Sequence, residues 1–171
     1  MRTPDAEAIA RRLPRGSAIV FRAFGAKDAE AQARRLKAVA QARGLKLLIG
    51  ADAGLAARIG ADGVHLPERL VHRARALRRP GWIVTAAAHS LVAARRAGGA
   101  GADAVVVSVA FPSASASAGR PKGPLRMALL ARRAGLPVYA LGGINSKTAR
   151  RLKDAGLVGL AAVDGFRSDS Q

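Results

Sequence analysis

The chain has 171 residues, with 29 Lys and Arg against 11 Asp and Glu, a formal net charge of +18, a hydrophobic content of 50% and no cysteine. That length suits one domain, 1–171, with a substantial core, and the lack of cysteine excludes disulfides, thiolate metal ligation and a cysteine nucleophile. No apolar run is long enough to span a bilayer and the first residues show no apolar leader, so a cytoplasmic protein with no membrane partner is expected.

The chain opens on a helix-like segment, Pro4 to Leu13, followed by a β-branched run at Ala18 to Phe21. Asp28 to Ala42 is rich in Ala and Arg at helical spacing, and Leu45 to Ile49 is apolar again. Gly63 to Leu66, Trp82 to Thr85, Ala104 to Val109, Pro137 to Leu141 and Leu157 to Val163 repeat the strand pattern, with helix-like stretches such as Leu91 to Ala97 and Ser146 to Ala155 between them. Short apolar runs separated by helices predict a parallel sheet of right-handed βαβ units. Gly60-Ala61-Asp62, Gly101-Ala102-Asp103 and Ala155-Gly156 stand where a helix C-cap would lead into the next strand. This punctuation favours an α/β barrel of the TIM (β/α)8 type over an open sheet.

A full barrel has eight strands, and seven candidates are present here. The absent strand would be the first, and the tail Arg167 to Gln171 is too short for a closing helix. Such a gap exposes two strand edges, which invites a homo-oligomer or cover by the N-terminal helix.

The basic excess raises a polyanion as a partner, but it falls mostly as Arg pairs within helix-like segments, as at Arg34-Arg35, Arg95-Arg96 and Arg132-Arg133. Pairs spread over several helices read as a solvated outer ring. Aromatics make up only 4% of the chain, so a base-stacking surface is poorly supported and nucleic acid is not the expected partner.

Candidate chemistry gathers at strand ends. Pro137 to Asn145 is an apolar run broken by Gly142 and Gly143 before a helix start, a pattern that suits a phosphate. Leu160 to Phe166 is a second such run, and paired sites of this kind near the C-terminus are a common phosphate arrangement in barrels. The Ser-, Ala- and Gly-rich stretch 111–123 follows a strand, where it reads equally as an active-face lid or a plain surface loop. His89 stands at a strand end and can move a proton near neutral pH, or simply pack beside Ser90, an N-cap for the next helix. His65 is expected inside the barrel, hydrogen-bonded, and His72 in water.

Four segments taken together carry a family resemblance: Leu47 to Glu68 with GADGVHL, Ala86 to Ser90 ending in HS, Gly101 to Ala116 with an FP-S-x-S loop, and Gly135 to Phe166 with ALGGI. In this combination and order the chain resembles the thiamine-phosphate synthase/TenI family of (β/α)8 barrels. The resemblance implies thiamine biosynthesis. Synthases of this family join a pyrimidine pyrophosphate to a thiazole phosphate with magnesium, whereas the TenI branch aromatises a thiazole phosphate precursor, using the histidine matched here by His89.

Residue by residue, the resemblance implies substrate or phosphate contacts at Arg22, Ser113, Ser115, Gly142, Gly143 and Val163, with Asp164 where the family has a serine. A carboxylate at Asp164 would repel a phosphate, and capping a terminal turn is as good a reading for it. The family's Asn-Asp pair is replaced by Gly50-Ala51 beside Asp52, its metal-binding carboxylate by Leu70 near Glu68, and its pyrophosphate-binding lysine by Ala116. Those losses remove the parts that neutralise a pyrophosphate leaving group. Lys122 or Arg120 could substitute a cation from the loop. The expectation is therefore TenI-like aromatisation with no metal, and magnesium only for residual synthase activity; a barrel that binds without turnover is the third reading.

Overall fold

The computed structural model describes residues 6–22, 25–113 and 119–163. Ser115, Asp164, the centre of the 111–123 loop and any closing element after Val163 lie outside them. Helix α1 (Ala6–Arg12) precedes strand β1 (Ala18–Phe21), and then come α2 (Ala29–Arg43), β2 (Lys46–Gly50), α3 (Ala53–Arg58) and β3 (Gly63–Leu66). A 3-10 turn at Glu68–Arg73 leads to α4 (Ala74–Leu77), β4 (Ile83–Ala88), α5 (Leu91–Gly99), β5 (Ala104–Ser108), α6 (Gly123–Arg133), β6 (Val138–Leu141), α7 (Ser146–Arg150) and β7 (Gly159–Ala161).

Among the described residues seven strands are all parallel and pair in chain order, so this is the barrel architecture read from the sequence, with one strand fewer than eight among those residues. Among the described residues β1 and β7 are each paired on one side only. Helix α1 packs on α2.

Register divides the sheet into two faces, because partner residues on parallel strands point the same way. Ile49, Val64 and Val84 lie side by side on one face, as do Val105 and Val138, and these residues join the core with the helices outside. Gly50, His65 and Thr85 follow one another on the opposite face, toward the barrel interior. On the interior face Val20 of the edge strand β1 is 39% exposed, and Tyr139 of β6, one strand in from the other edge, is 36% exposed.

The helices pack closely because their inner faces are small. Ala33, Leu36 and Ala40 of α2, and Ala93, Ala94 and Ala97 of α5, are buried at helical spacing. Fully buried Leu47, Ile49, Leu55 and Val84 each contribute about 1.5–3 kcal/mol. Helix α2 stops at Gly44, which takes the left-handed conformation at φ 66 and closes the last turn through Leu45 N–H to Ala40 O.

The repeated Gly-Ala-Asp triplet has a structural purpose beyond the C-cap. Asp62 accepts a hydrogen bond from Leu47 N–H and returns its own N–H to Leu47 O, and Asp103 does the same with Val84. Each aspartate thus pins the base of one strand to the strand before it. Lys37 reaches Asp62 at 2.8 Å, so this buried lysine is paired.

The expected helix from Ser146 to Ala155 is shorter than its pattern. Helix α7 ends at Arg150 and the chain continues as tighter turns, with Leu152 N–H to Ala149 O and Lys153 N–H to Arg150 O, before Asp154 adopts a positive φ of 62.

Candidate active site

Because the strands all run the same way, the connections that follow them share one rim. Arg22 follows β1, His89 follows β4, Ser113 lies in the β5–α6 connection, Gly142 and Gly143 follow β6, and Val163 follows β7 and is exposed. The expected site residues that are described therefore lie on the C-terminal side, with Arg22 and Val163 on opposite edges of the gap.

His89 leaves the end of β4 while Ser90, as expected, caps α5 by accepting from Ala93 N–H. The 3-10 turn after β3 brings Glu68 alongside. Glu68 Oε2 accepts from His89 N–H at 3.0 Å and from His89 Nδ1 at 2.8 Å, and Oε1 accepts from Arg96 at 3.3 Å. A carboxylate can only accept, so Nδ1 carries the proton and Nε2 is the nitrogen left for exchange. The sequence pointed to His89 without its partner. The available signal was that each residue lies just past one of two neighbouring strands.

His65 lies on the interior face, with Nδ1 2.9 Å from Thr85 Oγ1, as expected. Burial, and then the nearby Arg22 charge, push its pKa down to about 4, so the ring is neutral at physiological pH. Gly50 explains how Arg22 exerts this effect: a Cβ there would stand 2.8 Å from Arg22 Cγ, so the arginine stem occupies the space a side chain would fill.

The glycine pair is held by chain packing. Gly142 and Gly143 have φ of 100 and 64, and a Cβ on them would overlap Val109 Cγ2 and Pro112 O respectively. Ala110 N–H to Leu141 O and Phe111 N–H to Gly142 O bind the start of the 111–123 loop to this turn. Lys122 N–H to Val109 O and Gly123 N–H to Ala110 O bring the loop's end back to the same place. The α7 start is internally satisfied, since Asn145 Oδ1 accepts from Lys147 and Thr148 N–H and Thr148 Oγ1 accepts from Asn145 N–H.

The carboxylates near the rim are engaged within the protein, whereas a magnesium ion takes six oxygens, often one or two carboxylates with waters and substrate phosphates. Asp52 Oδ1 caps α3 by accepting from Leu55 N–H, both Glu68 oxygens are engaged as above, and position 70 is leucine. Among the described residues no three His, Asp or Glu side chains group as metal ligands.

His89 lines a pocket of about 300 Å³ together with Ser90, Leu91, Leu129 and Leu130 and the cations Arg120, Lys122 and Arg126. Lys122 Nζ donates to Ser108 O at 2.7 Å. Arg126 did not stand out from the many other helix arginines in the sequence.

The family model described as Thiamine monophosphate synthase matches residues 2–166. The chain belongs to that family. It is 37% identical over 177 aligned residues to a thiamine-phosphate synthase from Xanthomonas campestris pv. campestris, covering 95% of this chain and 84% of that one. It is 38% identical over 136 residues to the Thiobacillus denitrificans enzyme of the same name, covering 78% and 64%. Among solved structures, the thiamine phosphate pyrophosphorylase from Pyrococcus furiosus superposes with a TM-score of 0.79 at 26% identity, over 94% of this chain and 79% of that one. The family membership expected from the sequence is therefore established. No described helix is long and apolar enough to cross a membrane.

Proposed function

We propose that this chain serves thiamine biosynthesis as a proton-transfer enzyme acting on a thiazole phosphate, with His89 as the proton carrier. The observation that carries this reading is the Glu68–His89 pair, which places a directed imidazole on the active rim of a family member. Glu68 orients the ring and balances the charge that His89 gains on accepting a proton. In the step itself Nε2 takes a proton from a ring carbon, the electron pair of that C–H bond enters the ring system, and the same proton returns at the exocyclic carbon. The product is a tautomer of the substrate, and no leaving group or redox partner is required.

The substrate phosphate is assigned to the turn at Gly142 and Gly143, with Arg22, Ser113 and Val163 completing the rim. The reading is supported by the donor set as well, because a reaction that expels pyrophosphate depends on a metal, and here Glu68 is engaged by His89 and Arg96 and position 70 is leucine.

A second reading, thiamine-phosphate synthase activity, is favoured by the names of the relatives at 37% and 38% identity. One assay separates the two. Wild type and His89→Ala are incubated with the thiazole phosphate precursor in chelator, and aromatisation is followed by NMR. Turnover by wild type alone supports proton transfer. Activity seen only with magnesium, pyrimidine pyrophosphate and thiazole phosphate supports the synthase, and turnover in neither assay leaves a binding barrel.

A further inference from the structure

We propose that Gly50 is a positioning residue for Arg22: its missing side chain leaves the lane in which the arginine stem lies across the end of β2, and this fixes where the guanidinium stands. Ala51, the next residue, adopts the left-handed conformation at φ 64, where glycine is free of strain and alanine is not, whereas Gly50 lies outside that region. The glycine therefore stands one position away from where the turn calls for it. A Cβ on Gly50 would meet Arg22 Cγ at 2.8 Å and Phe21 O at 3.3 Å, so the vacated space is taken by the arginine stem. Gly63, Gly142 and Gly143 differ, because each has a positive φ that favours glycine directly.

The turn after β2 keeps Gly50 at this place. Ala51 N–H donates to His65 O at 2.9 Å, and Gly50 pairs with His65 in the parallel register. Phe21 is level with Ile49, so Arg22 comes level with Gly50, and Gly50, His65 and Thr85 continue the row on the interior face. A non-glycine residue in the left-handed region persists where its surroundings over-determine it, and such positions cluster at functional sites. Thr85 and Arg22 are the polar groups that bear on the His65 ring among the described residues, β2 offering only Gly50 there. Burial first, and then the Arg22 charge, lower the His65 pKa, so the ring reports how near the guanidinium stands. Because Arg22 is assigned to the substrate, the kinetic consequence rests on the proposed reaction, while the positioning itself does not.

The test follows the His65 ring by NMR titration of the full chain without substrate, in wild type, Gly50→Ala, Arg22→Gln and the double variant. Gly50→Ala is expected to raise the His65 pKa, as Arg22→Gln does, and to add nothing in the Arg22→Gln background, because moving a neutral side chain moves no charge. Ala51→Gly relieves the left-handed alanine and is expected to titrate like wild type. If Gly50→Ala alone does not fold, the same comparison is made in the Ala51→Gly background. With the thiazole phosphate, Gly50→Ala is expected to raise KM about tenfold while kcat stays within about twofold of wild type, the loss of one charge-assisted contact in binding. The proposal is overturned if Gly50→Ala titrates like wild type, if its effect on His65 persists alongside Arg22→Gln, or if Ala51→Gly shifts His65 equally. Absence of turnover by wild type removes the proton-transfer reading alone, and the titration still decides the role of Gly50.

Discussion

Glu68 Oε2 accepts two hydrogen bonds from His89, one from its backbone N–H and one from its ring Nδ1, so a single carboxylate oxygen sets both the end of β4 and the direction of the imidazole. If Glu68 positions the proton carrier, Glu68→Ala lowers kcat by about a hundredfold while KM stays near wild type. Glu68→Gln retains a carbonyl able to accept from Nδ1 and is expected to recover part of the loss. Steady-state kinetics on the thiazole phosphate decides this, and a change confined to KM would assign Glu68 to substrate binding instead.

His65 makes stability depend on pH. Its native pKa of about 4 lies below the unfolded value of 6.5, so the unfolded chain binds the extra proton between those limits. Its contribution is fully present above pH 6.5 and is lost as the pH falls toward 4, amounting to about 3 kcal/mol across the window. Urea denaturation at pH 7 and pH 4 is expected to show a steeper loss for wild type than for His65→Gln.

Gly143→Ala tests whether the glycine turn is shaped by packing. The added Cβ would occupy a positive φ and run into Pro112 O, a backbone atom that moves only with the loop. A destabilisation of about 2–4 kcal/mol is expected by chemical denaturation, with the β5–α6 connection displaced. Unchanged stability with weaker phosphate binding would assign Gly143 to the ligand alone.

Asp62→Asn isolates the strand-pinning aspartate. Burial raises the Asp62 carboxyl, but the Leu47 N–H and Lys37 outweigh it and hold the pKa below the usual range. Its ionised form therefore stabilises the fold above the usual carboxylate pKa, and the benefit is lost as the pH falls through the lower native value. The variant leaves Lys37 nearly buried without its counter-charge, and a loss of about 2–3 kcal/mol at pH 7 is expected from denaturation curves.

Much of the fold was legible because its signals are local. Ala18 to Phe21 and Gly63 to Leu66 match their strands, since short apolar runs bounded by turn residues have few other uses. Helix α7 was overread because the Ala, Arg and Lys pattern continues past Arg150 while the backbone tightens toward Asp154 and Gly156. The glycine pair was found, but its reason was only partly visible: nothing nearby in the sequence shows that Val109 presses on Gly142 and Pro112 on Gly143.

The sequence by itself determined the alternation of strand and helix, the family, the count of strands, and the placement of His89, Gly142 and Gly143 at strand ends. The elements and strand ends depend on periodicity and turn chemistry within a few residues, whereas the family shows in the order of four motifs along the chain. Only the tertiary structure decided that Glu68 holds His89, that Arg22 crosses the space left by Gly50 toward His65, and that Arg120, Lys122 and Arg126 line one pocket. These relationships join different strands and loops, and the parallel register of the sheet is the physical reason that they meet.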